Sequence, residues 1–522
     1  MKRFTPWLVT ALVLMVLPVA HASDDPADPY ILWSGDATEP KPALTTAIGE
    51  TLLVPRLRIE GHVHQTTGFP VDRDRTQFRG GSSADLTLRP SLMWTTLGAT
   101  LPIIIKVDLE ADVLIEKSIP SPIEGEGYPG TLNSTGFEPR RASLALSYNN
   151  LVGISGGFTT SQWGMGLLAN SGSGGYLPGN GSIVLVQGGD VVVRTGLKLG
   201  PFTDAFNFTF SAAYDILWKD DLLLDGDEGF QVVAAATIEP SETSKIGVYA
   251  VRRHFESTQA ARLANGDAKS TDVWAVDLTG YASTPLGGDW TLRFEAELAV
   301  IFGETELAPT TDFRTHDVLQ MGAAAQLRIN APDWGFVFDV MYASGDRNFD
   351  DEVQNAFMAD QNFRLGFIFY ETVMAALSAR AVATASNPEL VGYPNEDLER
   401  LATRGSISNT IAVYPRAWWR PVQGFEMFVG TLLAFAGVEM ADPFNSRLSG
   451  GQPKNAFDGA PGVYQGTEVN LGLRYSALIH GSILQFGLDA GVFVPGDALD
   501  DGSGEGVIDP VYGTRFSLSY RL

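Results

Sequence analysis

The chain has 522 residues and no cysteine, with 36 Lys and Arg against 61 Asp and Glu and a formal net charge of −25. It therefore has no disulfide framework, no thiolate metal site and no cysteine to carry a lipid anchor. The acidic balance argues against nucleic acid as a partner.

Lys2 and Arg3 precede an apolar run from Trp7 to Val19, followed by Ala20-His21-Ala22. This reads as a secretory signal peptide over residues 1–22, because the apolar run is too short to cross a bilayer as a helix. With the mature start at Ser23, 34 basic residues face 61 acidic ones, a formal −27. Ser23 to Glu50 carries Pro26, Pro29, Pro40 and Pro42 with several acids and no sustained period, and reads as an N-terminal tail over 23–50.

From about residue 51 the pattern becomes period two. After a first strand near Leu52–His64, Ile103, Ile105, Val107 and Leu109 oppose Lys106, Asp108, Glu110 and Asp112. Phe206, Phe208, Phe210, Ala212, Tyr214 and Ile216 oppose Asn207, Thr209, Ser211, Ala213 and Asp215. The final strand places Phe516, Leu518, Tyr520 and Leu522 against Arg515, Ser517, Ser519 and Arg521. A soluble sheet would also show such alternation in any one strand. The apolar stretch nearest to a spanning helix, Phe363 to Ala385, is broken by Arg364, Glu371 and Arg380.

Connections decide between the two. Short turns are expected near Leu97–Leu101, Asn149–Leu151, Gly200–Ala205, Glu239–Glu242, Thr284–Gly288, Ala331–Asp333, Arg420–Pro421 and Leu478–Gly481, with long polar segments between successive pairs. Short turns on one side and long loops on the other are the mark of an outer-membrane barrel. The expected fold is all-β: a transmembrane antiparallel β-barrel of about 18 strands over residues 51–522, with both termini periplasmic. Twenty strands is the alternative if Asn362–Tyr370 and Glu371–Ala385 pair as a hairpin. The segment 345–404 is long for a loop and is a lid or plug candidate.

The faces opposite the apolar positions give the pore-lining candidates: Arg56, Arg58, Glu60, Arg89, Lys106, Asp108, Glu110, Arg141, Arg194, Lys198, Arg293, Glu295, Arg328, Glu468, Arg474, Asp489 and Arg515. A mixed-sign wall in so wide a barrel implies a watery lumen, although the same residues can simply pair across strands. Ser161 to Asn170 is too apolar for an external loop, so Gln162, Trp163, Met165 and Asn170 are constriction candidates; alternatively Trp163 and Met165 extend a strand to the aromatic girdle.

Acidic loops at Asp220–Glu228, Asp346–Glu352 and Asp497–Glu505 match no complete calcium loop and read as a solvated rim beside lipopolysaccharide, able to share divalent cations. No resident metal or cofactor is expected.

The alternating last strand resembles the C-terminal strand that the barrel-assembly machinery recognises, with Leu522 in place of the usual aromatic. The whole mature chain resembles the alginate-export type of large outer-membrane porin. The runs Ser161–Asn170, Tyr342–Asp346 and Val492–Asp497 are similar to those of a related uncharacterised barrel family. The resemblance implies a lumen dominated by arginine to pass a polyanion, whereas comparable numbers of both signs face inward here.

A porin-like channel for small hydrophilic solutes or ions is thus the leading reading, with monomer as the default state. A rim-mounted enzyme is the alternative, with His62 and His64 beside Glu60 as its best histidines but no accompanying serine nucleophile motif. A plugged structural or adhesive barrel is the third.

Overall fold

The computed structural model describes residues 46–98, 102–117, 136–172, 189–220, 227–257, 268–310, 312–392, 397–479, 482–501 and 506–522. The expected signal peptide, most of the tail, and Asp221, Asp225 and Glu505 of the acidic loops lie outside them. The main sheet has 20 strands, two of which are the short Thr46–Ile48 and Val353–Gln354; the other eighteen are the staves of one antiparallel barrel.

The staves are β1 (Thr51–Thr66), β2 (Gly81–Thr96), β3 (Ile103–Lys117), β4 (Gly136–Tyr148), β5 (Val152–Thr160), β6 (Val191–Phe202), β7 (Phe208–Lys219), β8 (Asp227–Ser241) and β9 (Ser244–Ser257). They continue as β10 (Lys269–Gly287), β11 (Trp290–Thr305), β12 (His316–Asn330), β13 (Trp334–Ala343), β14 (Thr410–Val422), β15 (Phe425–Phe435), β16 (Tyr464–Ile479), β17 (Ser482–Pro495) and β18 (Val511–Arg521). Each pairs with its neighbour, and β1 closes on β18 from Arg58↔Arg521 to Thr66↔Gly513. Closure leaves no stave with an open edge, the condition for a sheet in hydrocarbon.

Alternation does the rest. Val63, Leu109, Ile216, Leu278, Phe294, Leu471 and Phe516 are exposed on the outer face, while Glu60, His62, Asp108, Asp215, Asp277 and Arg515 on the other face are buried. Trp290 and Trp334 meet edge to face at 4.7 Å where β11 and β13 begin, at the short-turn rim. This is a barrel of the outer-membrane kind, and the cell outer membrane is where such an exterior belongs.

Several expected boundaries move. Thr46–Ile48 folds back on Thr51–Leu53, so the expected tail contributes a short strand. Glu239–Ser241, Thr284–Gly287 and Arg420–Pro421 are strand, because staves on this side run almost to the tip of each hairpin. Asn362–Ala385 is not a hairpin. A π turn, Phe369–Met374, leads into helix α1 (Ala375–Ala385), in which six of eleven residues are alanine, the strongest helix former. Two shorter helices follow: α2 (Pro388–Val391), and α3 (Pro443–Leu448), which is capped by the Asp442 carboxylate on Phe444 and Asn445 N–H.

Candidate functional site

The inner wall is a set of ion pairs, some between adjacent staves and some two residues apart along one stave. Arg194 on β6 reaches Asp215 on β7 with both Nε and Nη2 at 2.7 Å, and Gln231 on β8 donates to the same carboxylate at 2.8 Å. Arg89 forks onto Asp112 at 2.5 and 2.7 Å, Arg474 meets Asp489 at 2.6 Å, Arg293 meets Glu295 at 3.2 Å, and Arg416 pairs with Asp339. Arg58 donates to Glu60 at 2.5 Å. Arg328 donates to Gln326. Arg56, Lys106 and Lys198 share these inward faces, with Lys106 buried.

One departure from strict alternation matters. Between Glu110 and Ala111 the register with β4 shifts by a residue, since Glu110 opposes Arg141 and Ala111 opposes Pro139. This bulge turns consecutive arginines to one side. Arg140, absent from the expected set, is 2% exposed and donates to Glu110 at 2.9 Å, while Arg141 lies 3.5 Å from Asp108.

Two connections fold into the lumen. After β5, Trp163 is fully buried, donates Nε1–H to Asp277 Oδ1 at 3.0 Å and stacks on Tyr249 at 5.4 Å. Leu167 N–H donates to Glu297 at 3.0 Å, and Met165 N–H donates to the same carboxylate. Gly164 sits at φ +50°, and a Cβ there would lie 2.5 Å from Glu297. Gln162 accepts from Ser171 N–H at 3.0 Å, and Asn170 donates its N–H to Asp360 at 3.2 Å. Trp163 and Met165 therefore do not extend the strand outward; wall carboxylates hold their loop inside.

The second connection joins β13 to β14. Glu468 on β16 accepts the backbone N–H groups of Phe367 at 2.8 Å, Ile368 at 3.2 Å and Phe369 at 2.7 Å, satisfying orphan donors at the start of the π turn. Phe369 stacks on Phe493 at 4.6 Å, and the Tyr370 hydroxyl lies 2.8 Å from Thr410 Oγ1. Glu371 sits between Arg364 at 3.0 Å and Arg515 at 2.7 Å. Burial pushes its carboxyl up, but these guanidiniums outweigh burial and hold it below the usual range.

The wall is shaped for these aromatics. A Cβ on Gly491 would lie 2.8 Å from Phe367, one on Gly513 2.9 Å from Ile368, and one on Gly322 2.3 Å from Phe357. The inner faces of β13 to β18 here are apolar, with Met341, Ala343, Ala412, Tyr414, Leu432, Ala434 and Val511 buried against the inserted segment. The same staves also turn Asp339, Arg416, Glu468, Arg474, Asp489 and Arg515 inward, so charged residues flank this apolar patch. At its outer end the segment is tied to other staves and loops: Arg380 to Asp72 at 2.7 Å, Lys269 to Asp397 at 2.7 Å, and Arg400 to Asp227 at 2.8 Å.

Between the two inserted connections and staves β6 to β12 lies a cavity of about 420 Å³. Val251, Phe255, Leu377 and Val382 supply apolar walls; Arg253, Asp220, His316 and Asp346 supply polar ones. Asp346 accepts N–H from Asn348 at 2.9 Å and Asn355 at 3.2 Å, yet burial lifts its carboxyl to about 6. Among the described residues no group of three or more His, Asp and Glu side chains could hold a metal ion, and His62 is instead 2.9 Å from Asp85.

The residues that reasoning from sequence missed are Arg140, Asp72 and the partners Arg364, Glu371 and Arg380. The last three carried a signal: charges spaced through an apolar run need partners wherever that run is buried.

No family model and no curated protein matches the chain. Among solved structures, it is similar to OpdL of Pseudomonas aeruginosa with a TM-score of 0.48 and 10% identity over 90% of this chain and 98% of that one. OpdK of P. aeruginosa with vanillate gives 0.48 and 9% over 90% and 98%, and the outer-membrane protein OprD of P. aeruginosa gives 0.46 and 11% over 90% and 94%.

Proposed function

We propose that this chain is an outer-membrane channel for small hydrophilic solutes or ions, narrowed by the connections after β5 and β13. The observation that carries this reading is the combination of a charged, ion-paired inner wall with two segments that wall carboxylates hold inside the barrel. An 18-stave barrel without such segments would be a wide pore; two inserts make a selective one. The segment 345–404 acts as a partial plug.

The finer resemblance to alginate exporters is not favoured by the wall. A polyanion route needs arginines free to receive carboxylates, whereas Arg89, Arg194 and Arg474 already hold aspartates. Catalysis is not favoured either: His62 faces Asp85 and His64 faces Phe367, and although Ser517 opposes His62 across β1 and β18, neither its hydroxyl nor His62 Nε2 makes a hydrogen bond.

Planar-bilayer conductance of the refolded mature protein tests the reading. Stable current steps in wild type are expected, with larger steps after deletion of 345–404. Silence in wild type with steps in the deletion variant means a closed plug. If both are silent although unboiled samples still migrate as folded barrels, the channel reading is overturned.

A further inference from the structure

The cavity beside the inserted segment has a consistent chemistry. Seven aspartates and four arginines line it among the described residues. Arg253 is engaged by Asp220 at 2.6 Å and by Gln231 at 3.1 Å, and Arg400 by Asp227 at 2.8 Å. Asp346, Asp350 and Asp351 have no cationic partner among the described residues, and Asp346 is 7% exposed.

His316, on the same lining, makes the pattern one of acceptors. It is 1% exposed, and its Nδ1 lies 2.9 Å from the Asp351 carbonyl oxygen, which can only accept. Nδ1 therefore carries the proton of the neutral ring, and Nε2 is left with a lone pair. Nε2 is buried without a hydrogen-bond partner. A buried acceptor without a donor is costly unless a ligand supplies one.

Resting on the channel reading above, we propose that this cavity is the solute site and takes a small organic cation, an ammonium on an apolar body. The ammonium is received by the Asp346 carboxylate, with Asp350 and the His316 Nε2 acceptor adding to the negative potential of the same lining, and the body by Val251, Phe255, Leu377 and Val382. A volume near 420 Å³ is in the range of small-molecule sites, roughly 300–1,000 Å³. The other side of the lumen is filled by Phe367, Phe369 and Tyr370, so the route passes here. A bare metal ion is disfavoured, since the acceptors do not converge as a ligand set.

The test is calorimetric titration of the refolded, detergent-solubilised barrel with phenethylammonium and, separately, phenylacetate, which has a similar body and the opposite charge. Phenethylammonium should bind about tenfold tighter than phenylacetate, and D346N should lose about tenfold of that affinity. D350N, which keeps the backbone N–H that Asp350 donates to Asn348 at 3.2 Å, should weaken it in the same direction. Equal binding of the two probes, tighter binding of phenylacetate, or full affinity in both variants would overturn the proposal. Conductance is scored apart: current steps without ammonium preference reject this site alone, while binding without current rejects the channel reading and leaves the site standing.

Discussion

The carboxylate of Glu468 accepts the backbone N–H of Phe369 at 2.7 Å, so a barrel stave caps a helical segment 99 residues earlier in sequence. The same carboxylate takes Phe367 and Ile368. Removing it strands buried donors, each worth about 1–3 kcal/mol. E468A should keep the barrel, judged by unboiled gel migration, yet raise amide exchange over 369–385 at least tenfold and enlarge conductance steps. E468Q, which keeps an acceptor, should lie between. Unchanged exchange in E468A would show that apolar packing alone seats the segment.

That packing gives a second, independent handle. Gly513 lies under Ile368 and Phe367, where a Cβ would come within 2.9 and 3.1 Å. G513V should push the segment off the wall and increase conductance, whereas I368A should relieve the closest clash in the double variant. Exchange over 369–385 measures both. A G513V protein with wild-type exchange would mean that the wall yields instead.

The staves were legible because period two is imposed twice, by lipid outside and charge inside; Asp215 between Tyr214 and Ile216 shows it within three residues. Turn tips were less so, since Thr284 to Gly287 combines turn-forming residues with strand pairing to β11 that skips only Leu286. The fate of 345–404 was not legible. Its charges Glu371 and Arg380 find partners on β18 and in the loop after β1, separations that no local pattern encodes. Arg140 was hidden by a bulge, which strict alternation cannot anticipate.

The Arg194–Asp215 pair is buried at 4% and 0% exposure and forked. Breaking one side leaves an uncompensated charge, at a cost of about 3–5 kcal/mol in a fully desolvated site. R194A should lower the urea midpoint of the refolded barrel clearly, and R194A/D215A should recover most of the loss. If the double variant is as unstable as the single one, the arginine contributes by packing and by its bond to Ser161, not by charge.

The loop after β5 hangs on Asp277 and Glu297. W163A removes the ring that fills the space against Tyr249 and the donor to Asp277. Loss of a buried Trp costs about 3–5 kcal/mol where the space cannot collapse. Because the loop lies in the lumen, the larger effect should be on current: wider, noisier steps with weaker ion selectivity. A stable W163A barrel with unaltered single-channel current would place the narrowest point elsewhere, at the Phe367–Tyr370 side.

Asp346 sets a pH dependence. Its carboxyl is held at about 6 against an ordinary 3.8, chiefly by burial, with nearby Asp351 adding to the shift. As pH falls through 6 the folded protein takes up a proton that the unfolded chain does not yet bind, so stability rises on acidification from 6 toward 4 and the cost of the buried charge is fully present above 6. Selectivity moves the other way: the cavity loses negative charge below 6, and the cation preference in a salt gradient should fall between pH 7 and 5. Asp442, also lifted by burial to about 6 and on the same cavity, titrates in this window. D346N and D442N should each flatten part of the profile. A cation preference that persists unchanged to pH 5 would mean that Asp350, not the buried carboxylates, selects the ion.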